Sequence, residues 1–463
     1  MSLQRLAAFA AALDARDLPA EVLDKAKACL LYGLAVGVAA ARTDAPARVA
    51  RALDHETNAA GGPATRLLDG RRTPAAAAAL ANGVLLHGRI QEDSHPAGHM
   101  GVVVLPAALA VGEAQRAVGR DVLAAIVAGY EVALRVGRDH AASLSARGFR
   151  TTPAYGVLGA AAAASRLYGL GAERTGHALA LAASFAGGLR EFVRAGSGEY
   201  GVQAGMAARN GISAALLAAE GVEAAGSALS GDAGFFRAFG DGPADAGRRL
   251  VEGLGREFEL LRVGYKPYPV CQFHRGIVRG LLELRSRGDG VALESLRIRM
   301  HPFEADFFGV RHAGPFHAFA QTMMSAPFCA ALAWARGEVT LDRLHEVRDP
   351  DVLALVPRVE VVADPARARY RPVLGLALAD GRVLEWEEAA GEDAYRLTWA
   401  EATRMTDVLG AEVGLSPDLG RDLVEAVGAL EAAPGVDPVI EAACAATAAV
   451  ADVPAERRVR CRD

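Results

Sequence analysis

The 463-residue chain is poor in cysteine, in sustained charge of one sign and in long hydrophobic runs. Its cysteines are Cys29, Cys271, Cys329, Cys444 and Cys461, an odd number, widely spaced and never arranged as CxxC. That argues against a disulfide framework and fits reduced thiols in a cytoplasm. The formal net charge is −5 and no basic run stands out, so the electrostatic footprint that nucleic-acid binding needs is missing. The longest apolar run, "ACLLYGLAVGVAAA", is glycine-interrupted and falls short of the roughly 20 residues of a membrane helix. The N-terminus has helical period but neither a basic start nor a clear cleavage site, so no signal peptide is read. These absences leave a cytoplasmic protein with a small-molecule partner and no nucleic-acid or membrane partner.

What is present is apolar and rich in small residues. With 52% hydrophobic and 23% charged residues, the chain has material for a large core. Its length predicts about two or three domains. From residue 1 to 262 the pattern is helical: Val122, Leu123, Ile126, Val127, Tyr130, Val132 and Leu134 form one apolar stripe. Pro19 suits the first turn of a helix. "YGVLGAAAAASRLYGL" and "GMAARNGISAALLAAEG" predict helices that approach closely. The character changes near Tyr265. "SLRIRMHP" and "PRVEVVAD" alternate, and "RPVLGLALADGRVLEWEEAA" reads as two strands around an Asp380–Gly381 turn. The expected fold is mostly α, with an all-helical domain (1–262 and 396–463) and a smaller α+β lid domain (265–395).

One polar stretch interrupts the apolar helices: "QEDSHPAGHMG", Gln91 to Gly101. Histidine is the natural side chain for proton transfer near neutral pH, and His95 and His99 both qualify. Glu92 and Asp93 are placed to orient a histidine or take part in proton transfer. A metal site on the two histidines is disfavoured. Their four-residue spacing shares a face only in a helix, and Pro96 and Gly98 oppose helix. The glycine-rich runs "GLGAERTG" and "GDAGFFRAFGDG" follow no strand, so no nucleotide cofactor is expected. Cys271 near His274 lacks an accompanying oxyanion-hole motif.

Several motifs, in order, resemble the MmgE/PrpD family. They are "ANGVLLHGRIQEDSHPAGHMGVVVLPAALAVGE", "GYEVALRVG", "GFRTTPAYGVLGAAAAASRLYGL", "AGMAARNGISAALLAAEG" and "YKPYPVCQFHRGI". The likeness spans roughly residues 18 to 410. It implies a helical domain plus an α+β lid, a homodimer, and an active site between the domains. Four positions depart from the family pattern: Ile90, Arg150, Tyr200 and Phe328 stand where an Asp, a His, a Lys and a Tyr are usual. His99, Lys266 and His274 are retained.

The family's reactions remove or add a proton beside a carboxylate or carbonyl. A base must take the proton, and cations must offset the developing charge. The resemblance thus makes His99 the candidate base, with His95 as the alternative within the loop, and adds Lys266, Asp93 and Tyr200 as catalytic candidates. Arg150, with its bidentate fork, is expected to clamp an anionic substrate group, joined by Gln91, Glu92 and His274. The leading expectation is a cofactor-independent, metal-free lyase that eliminates a β-group from a small polar acid. Two alternatives are an isomerase, epimerase or cyclase using the same carbanion, and a catalytically silent dimeric binding protein.

Overall fold

The computed structural model describes residues 2–57, 61–242, 246–288 and 290–451. Cys461 and the end of the predicted helical return lie outside them. The chain is mostly helical with one small mixed sheet, and it divides into two compact units. Unit 1 holds 2–190, 199–263 and the described residues from 397; unit 2 holds 191–198 and 264–396.

Unit 1 is built from helices that can bury every face because they carry so few large or charged residues. Ala20–Ala39, Ala75–Leu86, Gly101–Ala114, Gly119–Gly137, Thr151–Leu167 and Tyr200–Ala219 form its centre. Glycine sets the spacing where two of them meet. A Cβ on Gly205 would lie 2.4 Å from the Leu80 carbonyl oxygen, and one on Gly83 would lie 2.9 Å from the Gly205 Cα. The backbones of Ala75–Leu86 and Tyr200–Ala219 therefore touch. Asn82, beside Gly83, accepts from the Leu67 N–H at 2.8 Å and donates to the Thr65 carbonyl at 3.0 Å. The Asn-Gly pair thus anchors a two-residue ladder (Ala64–Thr65 with Arg72–Thr73) on one side and admits a helix on the other. Buried Lys25 donates to the carbonyls of Val263 and Leu397, the residues where the chain leaves and re-enters this unit. Pro19 stands just before the first helical residue, Ala20.

In unit 2, Val359–Ala363 runs parallel to Leu293–Met300, which pairs antiparallel with Val373–Leu378, and that strand pairs antiparallel with Val383–Glu387. The last two strands turn at Asp380–Gly381. Gly381 has φ +86°, and the Asp380 carboxylate accepts from the Arg382 N–H at 3.1 Å. Leu293, Leu296, Ile298 and Met300 are buried, while Arg297 and Arg299 are exposed, so the alternation marks a sheet covered on one face. Helices Arg275–Gly288 and Ala326–Arg336 supply the remaining apolar surface. Phe328 is fully buried in the second of these, edge-on to Phe316 at 4.9 Å. Among the described residues no helix is long and apolar enough to cross a membrane.

Candidate active site

Helix Ala75–Leu86 ends at His87, and helix Gly101–Ala114 begins fourteen residues later. The turn between them is sharp. Ile90 has φ +55°, a left-handed value that a β-branched residue rarely adopts and that costs of order 1–3 kcal/mol. Gly98 has φ +134°, and a Cβ there would sit 2.9 Å from Thr151 Oγ1. His95 and Gly98 pair through both backbone hydrogen bonds, at 3.1 and 2.9 Å. Gln91, Glu92, Asp93, Ser94 and His95 are all buried. So much buried polarity persists only when it is hydrogen-bonded.

Asp93 shows how. Its carboxylate accepts from the Gly101 N–H at 3.2 Å and from Tyr130 Oη at 2.8 Å. An anion thus faces the N-terminus of the following helix, where the macrodipole favours it. The tyrosine of "GYEV" is the second holder. His95 is tied as firmly: Nδ1 accepts from the Ala97 N–H at 3.1 Å, and Nε2 lies 3.4 Å from Glu259. Burial pushes the Glu259 carboxyl up, but hydrogen bonds from His95 and Arg138 outweigh it and hold its pKa at about 2. Gln91 turns its side-chain oxygen to the Arg89 guanidinium at 3.0 Å, while its backbone carbonyl accepts from Tyr32 Oη.

Glu92 stands between two imidazoles. One oxygen is 2.9 Å from His87 Nδ1 and the other is 3.5 Å from His99 Nδ1. Arg150 Nη2 donates to His87 Nε2, so that nitrogen carries the lone pair and the His87 proton is on Nδ1, directed at Glu92. His87 is therefore neutral and oriented from both sides. His99 Nδ1 is 2.7 Å from the Asp93 carbonyl, which can only accept, so Nδ1 carries a proton and, in the neutral ring, Nε2 carries the lone pair. The His99 side chain retains 17% exposure, whereas His87 has none.

Arg150 caps helix Thr151–Leu167 with extended backbone. Its other terminal nitrogen donates to the Tyr200 carbonyl at 2.6 Å. Burial pulls its pKa down to about 10, opposed by Glu92, which leaves it charged at neutral pH. Tyr200 opens helix Tyr200–Ala219 and sets its ring edge-on to His87 at 5.4 Å.

The structure thus brings together Glu92, Asp93, His95, His99, Arg150 and Tyr200 in unit 1, with Gln91 in the same loop facing Arg89. It places Lys266 and His274 in unit 2, both fully buried. Burial drives the His274 pKa down to about 3, only partly opposed by the Met323 backbone, so this ring is neutral at physiological pH. His87 was not singled out from the sequence. It ends an apolar helix, and nothing in "GVLLHG" announces its two partners. Among the described residues no three His, Cys, Asp or Glu side chains converge as a metal-ligand set.

Residues 4–246 match the MmgE/PrpD N-terminal domain, and residues 268–403 match the C-terminal domain. A cis-aconitate decarboxylase-like protein, oryM, of Aspergillus oryzae is 30% identical over 375 residues, which is 76% of this chain and 77% of the relative. Cis-aconitate decarboxylase of Aspergillus terreus is 30% identical over 299 residues, covering 60% of this chain and 59% of the relative. The human cis-aconitate decarboxylase is 36% identical over 170 residues, 35% of each chain. With both domains matched and a relative similar over three quarters of its length, the chain belongs to the MmgE/PrpD family.

Proposed function

We propose that this lyase-type enzyme acts on a small polycarboxylic acid, by elimination or decarboxylation, with His99 as the residue that moves the proton. The observation that carries the reading is the His99 geometry. Nδ1–H is fixed on the Asp93 carbonyl, Nε2 is basic, and the Glu92 carboxylate lies 3.5 Å away to stabilise the imidazolium. In an elimination, Nε2 takes the proton α to a carboxylate and the β-group departs with the bonding pair. In a decarboxylation, Nε2 first takes a proton from water; CO₂ then departs, leaving its bonding pair on carbon, and the imidazolium gives that proton to the carbanion. The names of the relatives favour cis-aconitate as the first substrate to assay.

Glu92 and His87 act here as positioning residues, and Arg150 as the fixed cation that holds His87 in its tautomer. This role is proposed for Arg150 in place of the anion clamp, and it is supported by the bonds from both terminal nitrogens to protein groups. Asp93, His95 and Gln91 are assigned to holding the loop. Lys266 is kept as a candidate cation for the substrate, to be tested as Lys266→Gln. A cytoplasmic homodimer that works without a cofactor is part of the same proposal.

The test is turnover in D₂O, followed by NMR, across a panel of cis-aconitate, hydroxy acids, imino acids and keto acids. Loss of CO₂ with one deuteron incorporated, or loss of water with the α-proton passed to solvent, supports the lyase. Exchange without bond cleavage selects the isomerase or cyclase alternative, and no exchange with any acid removes the enzymatic reading of His99.

A further inference from the structure

Unit 2 contains a cavity of about 470 Å³ whose lining shares no residue with the 87–101 loop. We propose that it is a second small-molecule site, for an amphipathic carboxylate: one anionic head and a short apolar tail.

Charge selects the head. Three charged side chains line the cavity: Arg194, Asp306 and Arg311. Arg311 is engaged by protein groups through all three of its nitrogens. It donates to the carbonyls of Ala305 at 3.1 Å and Val361 at 2.6 Å, and pairs with Asp306 at 2.9 Å. Asp306 and Arg311 therefore neutralise one another. The guanidinium of Arg194 has no hydrogen bond or ion pair among the described residues, so it is the uncompensated charge of the cavity. A guanidinium presents a donor fork that matches a carboxylate in two parallel bonds. The other polar lining groups already have partners. Gln321 accepts from the His317 N–H at 2.8 Å and donates to the Arg194 carbonyl at 3.3 Å, and His312 Nε2 is 3.1 Å from the Pro315 carbonyl.

Shape and polarity select the tail. Val193, Phe307 and Phe308 contribute apolar wall, and Phe308 remains 39% exposed. Arg194 and Phe308, both exposed, thus line the same cavity, a charge for a head and an aromatic face for a tail. The walls are also set in advance. Gly309 has φ +90°, and a Cβ there would lie 2.7 Å from the Val193 side chain, so glycine lets segment 191–198 pack onto this loop. Ser325 Oγ donates to the His312 carbonyl at 2.5 Å, and the Ala326 N–H donates to the Val310 carbonyl at 2.9 Å. The volume lies within the range of preformed ligand pockets, about 300–1,000 Å³.

The experiment is calorimetric titration of the full-length protein with hexanoate, with hexan-1-ol as the uncharged control. Variants are Arg194→Gln, Arg194→Lys and His99→Ala, each checked for an unchanged melting temperature. Hexanoate should bind and hexan-1-ol should not. Arg194→Gln should weaken hexanoate about tenfold or more, the scale of a charged hydrogen bond. Arg194→Lys should recover part of that loss, and His99→Ala should change nothing. Equal binding by wild type and Arg194→Gln overturns the site. So does loss of hexanoate binding in His99→Ala with Arg194→Gln unaffected, which would place the acid at the loop instead.

Discussion

Glu259 in unit 1 and Glu304 in unit 2 are both buried, yet their carboxyls move in opposite directions. Glu259 is held at about 2 because His95 and Arg138 donate to it in spite of burial. Glu304 is pushed up to about 7 because burial dominates: the Tyr370 N–H, 2.7 Å from Oε1, offsets only part of it, Arg369 Nε is 3.9 Å away, and Oε2 has no hydrogen-bond partner. The histidines divide the same way. Those of the loop are clasped by carboxylates and carbonyls, while His274 sits in surroundings that forbid its charged form. Burial alone does not make a reactive site. Burial with directed partners fixes tautomers and keeps charge available, and burial without them forces neutrality.

Breaking the partnered side should cost most. Arg150→Leu removes the cation between the Tyr200 carbonyl and His87 and leaves buried Glu92 short of compensation. It should lower unfolding stability by about 3–5 kcal/mol, measured by denaturant titration. A loss under about 1 kcal/mol would mean that the guanidinium is not integral to the network.

On the unpartnered side the sign reverses with pH. The Glu304 carboxyl titrates near 4.5 when unfolded and at about 7 when folded. Below pH 4.5 both states hold the proton and there is no penalty. As pH rises from 4.5 to 7 the unfolded chain releases it first, so stability falls, by on the order of 3 kcal/mol once pH exceeds 7. Glu304→Gln should flatten that slope in melting curves recorded across this range. A slope identical to wild type would contradict the assignment.

Glu92→Gln sharpens the comparison at the loop, because it keeps shape and removes charge. A fall in kcat of roughly tenfold or more, with KM little changed, is expected for a group that stabilises an imidazolium. A pure KM effect would instead make Glu92 a substrate contact. The smallest expected effect is a null one: the ring nitrogens of His274 should show no titration by ¹⁵N NMR between pH 5 and 9.

Much of this was legible in the sequence. The Asp380–Gly381 hairpin, the alternation of Leu293–Met300 and the close helices around Gly205 follow from local chemistry. So did the polar loop, because Pro96 and Gly98, two residues apart among polar side chains, oppose a helix there. The roles within it were not legible, because they depend on partners far along the chain. Tyr130 reaches Asp93, Glu259 reaches His95, and Arg150 reaches His87, across separations that no spacing rule encodes. Segment 191–198 belongs with unit 2 although its neighbours on both sides belong to unit 1. Ile90 is a further case: the sequence marks it only as a departure from the family pattern, and its strain is a property of the turn.

The central claim is that His99, rather than His95, moves the proton. It is tested most directly by comparing His99→Ala with His95→Ala for deuterium incorporation during turnover, normalised to folded protein. The account predicts that His99→Ala loses about 10²-fold or more in kcat while its melting temperature stays near wild type. His95→Ala should melt lower, because Glu259 loses a donor, and keep most of its kcat. The opposite pattern, with activity abolished in His95→Ala and retained in His99→Ala, would contradict it.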